Sequence, residues 1–152
     1  MKGLKERVKD REEEFKRIIQ AEKLTEPTIQ ILQKVKGSLS GSIYPTSAFL
    51  YLSTPSIEEL EDKYLPNISS ALKCKWSRVV EKDVIRYTTN IHIIRPQGLG
   101  MFYIYISVEA SPTKSCKIIS IPTGKMREVE KKVIVEEPEV EYFIDCGGGE
   151  NE

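Results

Sequence analysis

The sequence predicts an α+β fold: an antiparallel β-meander sheet packed by one kinked helix, preceded by a charged N-terminal helix. Three observations carry that prediction. Apolar residues near the start of the chain recur at helical spacing, and those beyond Lys73 recur at every second position. Between them lies an apolar stretch with a capping box at its start and a proline inside it. A chain of 152 residues is the size of one domain and long enough to bury a core. The expected division is a helix over 1–24, one α+β domain over 25–146 and a disordered tail over 147–152.

The first element runs from Met1 to about Lys23. Leu4, Val8, Phe15, Ile18, Ile19 and the stem of Glu22 share one stripe, which Arg11 interrupts, and the rest is dense in both charge signs. Such a helix either packs loosely on its own domain or pairs with its copy in a homodimer. Pro27 ends it or starts another element. Over 28–35 two readings compete. Ile29, Ile31 and Val35 alternate as in a strand, whereas Thr25 as cap, Pro27 in the first turn and Gly37 as stop suit a short helix. The strand is preferred. Lys36–Thr46, rich in Gly and Ser and containing Pro45, reads as a loop.

Ala48–Ser53 is a continuous apolar run and reads as a buried strand. Ser56 then caps a helix, with Glu59 three residues on, and Ile57, Leu60, Tyr64, Leu65, Ile68 and Leu72 form its inner face. Pro66 kinks or splits that helix. From Lys73 the period is two, and Lys73–Val80, Val84–Arg95, Met101–Ala110 and Cys116–Ile121 are expected as four strands of a meander. A charged ribbon, Glu128–Val135, leads to Glu139–Asp145, with Pro138 separating the two at an edge.

The central hairpin can be placed in register from its own alternation. Ile85, Tyr87, Ile91 and Ile93 share one face, as do Phe102, Ile104, Ile106 and Val108 on the next strand. Bringing both sets to one side sets Ile93 opposite Phe102 and Ile91 opposite Ile104, since a one-residue slip would turn every apolar residue outward. His92 then falls beside Tyr103, Asn90 beside Tyr105, Thr88 beside Ser107 and Arg86 beside Glu109. Opposite charges meeting in the last pair support the register independently. Arg86, Asn90, His92, Tyr103, Tyr105 and Glu109 are the candidate binding residues, because rigid aromatics among hydrogen-bonding groups give contact area at low entropic cost. The plainer reading is a solvated face, or one covered by the N-terminal helix.

Lysine and arginine (23) balance aspartate and glutamate (23), which argues against a dedicated DNA binder and against an acidic nucleic-acid mimic. No stretch approaches the ~20 apolar residues of a membrane span, and the charged N-terminus lacks a secretory core. Reduced thiols in a cytoplasm are therefore expected for Cys74, Cys116 and Cys146. With His92 they make a Cys₃His set, but no two are close in sequence, so no metal is assigned and the cysteines read as small core residues. Cys116 and Cys146 become neighbours if their strands pair. No Gly-x-Ser-x-Gly elbow accompanies the lone His92, and Thr123-Gly124-Lys125 lacks the rest of a P-loop, so neither a catalytic residue nor a cofactor is assigned. Trp76, between Lys75 and Arg78, either stacks a base or packs under the Leu60/Tyr64 helix; the second is preferred.

Pro27, Lys75–Trp76, Cys116-Lys117-Ile118-Ile119, Thr123-Gly124, Val129–Val135 and Tyr142-Phe143-Ile144-Asp145-Cys146 follow one another in an order that resembles a group of small proteins encoded by tailed phages and prophages. The resemblance covers about the last two-thirds of the chain and departs at the longer, more charged N-terminus. It implies a phage accessory protein and marks Cys116 and Cys146 as a pair. The expectation is a non-enzymatic binding protein, in the cytoplasm and not in a membrane, that modulates a host factor or host defence system. The alternative is a nucleic-acid or nucleotide binder using Trp76, Tyr103, Tyr105, Lys75, Arg78 and Arg86.

Overall fold

A computed structural model describes residues 3–112, 116–129 and 135–146. The expected tail at 147–152 and most of the centre of the charged ribbon lie outside them. The class is α+β, with helices packed on a five-stranded, mostly antiparallel sheet.

Helix α1 spans Leu4–Gln33 without a break, so Thr28–Val35 is not the preferred strand, and the boundary drawn at residue 24 falls in mid-helix. Pro27 lies inside it, lacking the N–H that would bond the Lys23 carbonyl. Ala21, Thr25, Thr28 and Leu32 recur at three and four residues and are all buried, so a helix buries one continuous face that a strand would split. The Thr25 hydroxyl donates to the Ala21 carbonyl at 2.7 Å, which satisfies it within the helix.

Lys36–Thr46 is likewise not a loop. It holds strand β1 (Ser38–Ile43), which pairs antiparallel with β2 (Ser47–Thr54) across a turn closed by Tyr44 N–H on Ser47 O at 2.7 Å. The small residues of β1 suit an edge held by backbone bonds rather than side-chain burial. Gly41 is required there, because a Cβ would fall onto the Phe49 carbonyl oxygen.

Ser56 caps the next helical segment as its spacing with Glu59 predicts, its Oγ accepting from Glu59 N–H at 3.3 Å. One turn of α2 (Ile57–Glu59) passes into a π-helical turn (Leu60–Tyr64) and then α3 (Leu65–Leu72). The disruption thus precedes Pro66, which sits in the first turn of α3, where its missing N–H costs least.

β3 (Ser77–Val80), β4 (Ile85–Ile94) and β5 (Met101–Ala110) complete a sheet of order β1-β2-β5-β4-β3, with β2 parallel to β5 and every other pair antiparallel. The hairpin register is as predicted, residue for residue, from Ile93↔Phe102 to Arg86↔Glu109. The fourth meander strand is not in this sheet. β2 occupies the free edge of β5, with Ala48 opposite Ile104 and Leu50 opposite Ile106, so the chain after β5 cannot pair there. Instead β6 (Lys117–Val129) and β7 (Val135–Asp145) form a separate two-stranded ribbon. Pro138 lies inside β7 rather than dividing it, which a ribbon with unpaired outer edges tolerates. A disulfide joins Cys116 to Cys146 at the base of the ribbon, so these two are not the reduced thiols expected.

The core lies on one side of the five-stranded sheet. Leu50, Leu52, Ile85, Phe102, Ile104, Ile106 and Val108 pack there against Ala21 and Leu32 of α1 and against Ile57, Leu60 and Ile68 of the second helical segment. Tyr87 points the same way and its hydroxyl donates to Glu61 Oε1 at 2.6 Å, pinning the sheet to the π turn. No described helix is long and apolar enough to cross a membrane.

Candidate functional site

Both helical segments lie on the core side, so among the described residues none covers the other face of the sheet. The pairing fixes what that open face carries, as rows crossing the strands. One row reads Ser42, Phe49, Tyr105, Asn90, and the next Ser40, Tyr51, Ser107, Thr88, Ser77. A third reads Ser38, Ser53, Glu109, Arg86, Val79, and at the opposite end Ser47, Tyr103 and His92 stand in line.

All six residues singled out from the sequence, Arg86, Asn90, His92, Tyr103, Tyr105 and Glu109, are therefore on one surface. Five of them form two groups, and Asn90 lies opposite Tyr105. His92 and Tyr103 meet edge to face at 4.9 Å between centroids, and Tyr103 lies 6.4 Å from Tyr105. Arg86 and Glu109 form the second group, with Arg86 Nη1 also donating to Glu81 Oε1 at 3.0 Å.

The strand expected at Ala48–Ser53 is β2, but sequence reasoning missed what it contributes to this face. Phe49 stacks on Tyr105 at 4.9 Å with planes 13° apart, Tyr44 packs edge-on against Phe49, and Tyr51 is half exposed. The signal was present in the run AFLYLS: the aliphatic residues Ala48, Leu50 and Leu52 alternate with the aromatic Phe49 and Tyr51, which a strand sends to opposite faces. The result is an aromatic band, Tyr44–Phe49–Tyr105–Tyr103–His92, running across the open face. Beside it the small Ser107 leaves a hollow of about 380 Å³, walled by Phe49, Tyr51, Tyr105, Thr88 and Arg86.

Arg86 is the sole lysine or arginine in these rows, and two carboxylates hold it. The face is aromatic and hydroxyl-rich with nearly balanced charge. Of the residues of the nucleic-acid alternative, Arg86, Tyr103 and Tyr105 are on the open face and Lys75 borders it beside Thr88, Asn90 and Tyr105, whereas Arg78 pairs with Glu61 on the core side and the Trp76 indole N–H donates to Ser69 Oγ of α3 at 2.6 Å. The Cys₃His set is dispersed as well. His92 is on the open face, Cys116 is bonded to Cys146, and the Cys74 thiol is half-buried. Burial pushes the Cys74 pKa up, so at neutral pH it is a protonated thiol and a poor nucleophile.

No family model matches the chain, and no curated protein or solved structure is similar to it.

Proposed function

We propose that this chain is a non-enzymatic binding module whose contact surface is the open face of its sheet and whose partner is a protein. The observation that carries this reading is the aromatic band beside the Ser107 hollow, on a face that neither helix covers. Large rigid aromatic side chains among small hydroxyl and amide groups are the composition of an antibody-type protein-contact surface. A nucleic-acid backbone would demand several unpaired cations, and this face offers Lys75 at its margin and one arginine already held by Glu81 and Glu109. Catalysis gains no support from His92, which stands exposed against Tyr103 rather than in a cleft with a thiol or carboxylate.

In the setting that the phage resemblance implies, the partner is a host protein. The Cys116–Cys146 bond is of the kind that persists in oxidising compartments, so a cytoplasmic site of action requires the pair to be reduced there.

The test is site-specific photo-crosslinking in native cells, with a photoreactive phenylalanine at position 51 or 105 and a control at the exposed helix position Gln30. The reading expects one discrete adduct from positions 51 and 105 that is missing from the control. The same adducts from all three, or none, would contradict it.

A further inference from the structure

The apolar stripe along the first half of α1 is uncovered among the described residues. Burial on α1 begins at Ala21, and residues 3–17 are exposed on every side, including Leu4 at 70%, Val8 at 48% and Phe15 at 63%. At 1.5 Å per residue this is roughly 20 Å of helix, bordered by Pro45 on the side of Asp10, Glu13, Glu14 and Arg17. A free helix of that length is marginal in water, and an apolar stripe along it is unfavourable unless something covers it.

The spacing of that stripe specifies what covers it. Leu4, Val8, Arg11, Phe15 and Ile18 follow one another at four, three, four and three residues, which is the seam of a coiled coil. Val8 and Phe15 occupy one seam position, and Leu4, Arg11 and Ile18 the other. Lys5 and Glu12 flank the seam on one side, Arg7 and Glu14 on the other. None of these four is ion-paired with another described residue.

Charge then selects among the arrangements of two such helices. A parallel pair sets Arg11 directly against Arg11 of the second copy inside the seam and leaves Lys5 and Glu14 without opposite charges. An antiparallel pair in which Val8 meets Arg11 of the second copy sets Leu4 against Phe15. It also brings Lys5 to Glu12 and Arg7 to Glu14, each contact made twice by the two-fold axis. Sliding that pair by one heptad either way brings Glu12 to Glu12 and Glu14 to Glu14, or Lys5 to Lys5 and Arg7 to Arg7. One register alone is attractive at every flanking position.

We propose that the chain forms an antiparallel homodimer through residues 4–15 of α1, with Val8 of each copy opposite Arg11 of the other. The globular bodies start at about residue 18 and so stand at opposite ends of the paired segment. The open sheet faces stay free, and the dimer presents two of them. This inference does not depend on the binding role of those faces.

The test uses the full chain carrying Cys74→Ser, so that no other free thiol competes. Chains with Val8→Cys and chains with Arg11→Cys are mixed under a thiol-disulfide buffer. The proposal expects the mixed 8–11 crosslink to dominate over 8–8 and 11–11. Sedimentation should show a dimer whose dissociation constant rises roughly tenfold or more at high salt, because its flanking pairs are exposed. Glu12→Lys with Glu14→Lys should give monomers, and adding Lys5→Glu and Arg7→Glu to the same chain should restore the dimer. All four sites are exposed, so folding is not at stake. Dominant 8–8 crosslinks, or a monomer at every concentration tested, would overturn the proposal. A monomeric wild-type chain that still gives the crosslinks from positions 51 and 105 would overturn it while leaving the sheet-face reading intact.

Discussion

Arg86 and Glu109 face each other across β4 and β5 on the open side of the sheet, with Nε and Nη2 of the arginine both donating to Glu109 Oε2, at 3.4 and 3.2 Å. Both side chains are 37% exposed, so water and salt screen the pair. A double-mutant cycle with Arg86→Ala and Glu109→Ala should give a coupling energy below about 1 kcal/mol that shrinks as salt is raised. A larger coupling, insensitive to salt, would mean that the face is buried in solution.

Tyr87 predicts an alkaline signature. Burial, and then the hydrogen bond it donates to Glu61, push its pKa from 10.0 up to about 12. Folding favours the neutral phenol, so its contribution is whole below about pH 10 and is lost as pH climbs through about 12. Tyr87→Phe should cost about 1 kcal/mol at neutral pH through the lost hydrogen bond. In denaturant titrations the wild-type chain should destabilise faster than the variant between those two pH values. Parallel pH profiles would show that the hydroxyl is solvated.

The two faces of β5 should respond oppositely to truncation at adjacent positions. Ile104 is fully buried among Ile91, Ala48 and its core neighbours, so Ile104→Ala should cost about 2–5 kcal/mol. Tyr105→Ala loses an exposed ring stacked on Phe49 and should cost about 1 kcal/mol. Equal costs would contradict the assignment of faces.

That assignment was legible from the sequence because alternation is strict where one face is buried. The pairs Ile93–Phe102 through Arg86–Glu109 follow from it with no other input. What was not legible depends on partners distant in sequence. The stretch 28–35 looks like a strand locally, and 28–33 is helical because its three-and-four spacing fits the core that β2 and β5 build. β1 is carried by backbone bonds to β2, and its Ser and Gly residues give no apolar signal. The parallel docking of β2 beside β5, which expels β6 and adds Phe49 and Tyr51 to the candidate surface, is set by topology.

The disulfide should act locally. Cys116 is buried and Cys146 exposed, and their bond closes 30 residues of chain around the β6–β7 ribbon, which is not part of the main sheet. Replacing both cysteines by alanine should lower stability by up to about 3 kcal/mol. Hydrogen exchange should quicken at 117–122 and 140–145 while the amides of β4 and β5 keep their protection. Uniform loss of protection would show that ribbon and sheet unfold as one unit.

Hydroxyl-radical labelling of Tyr51, Tyr105 and His92, compared between the purified chain and the chain inside its native cell, tests the role of the open face most directly. All three are exposed in the isolated chain and should be oxidised there. In the cell they should be protected, while the exposed loop residue Leu99 stays as reactive as before. Equal oxidation of Tyr51, Tyr105 and His92 in both settings would contradict a contact surface on this face.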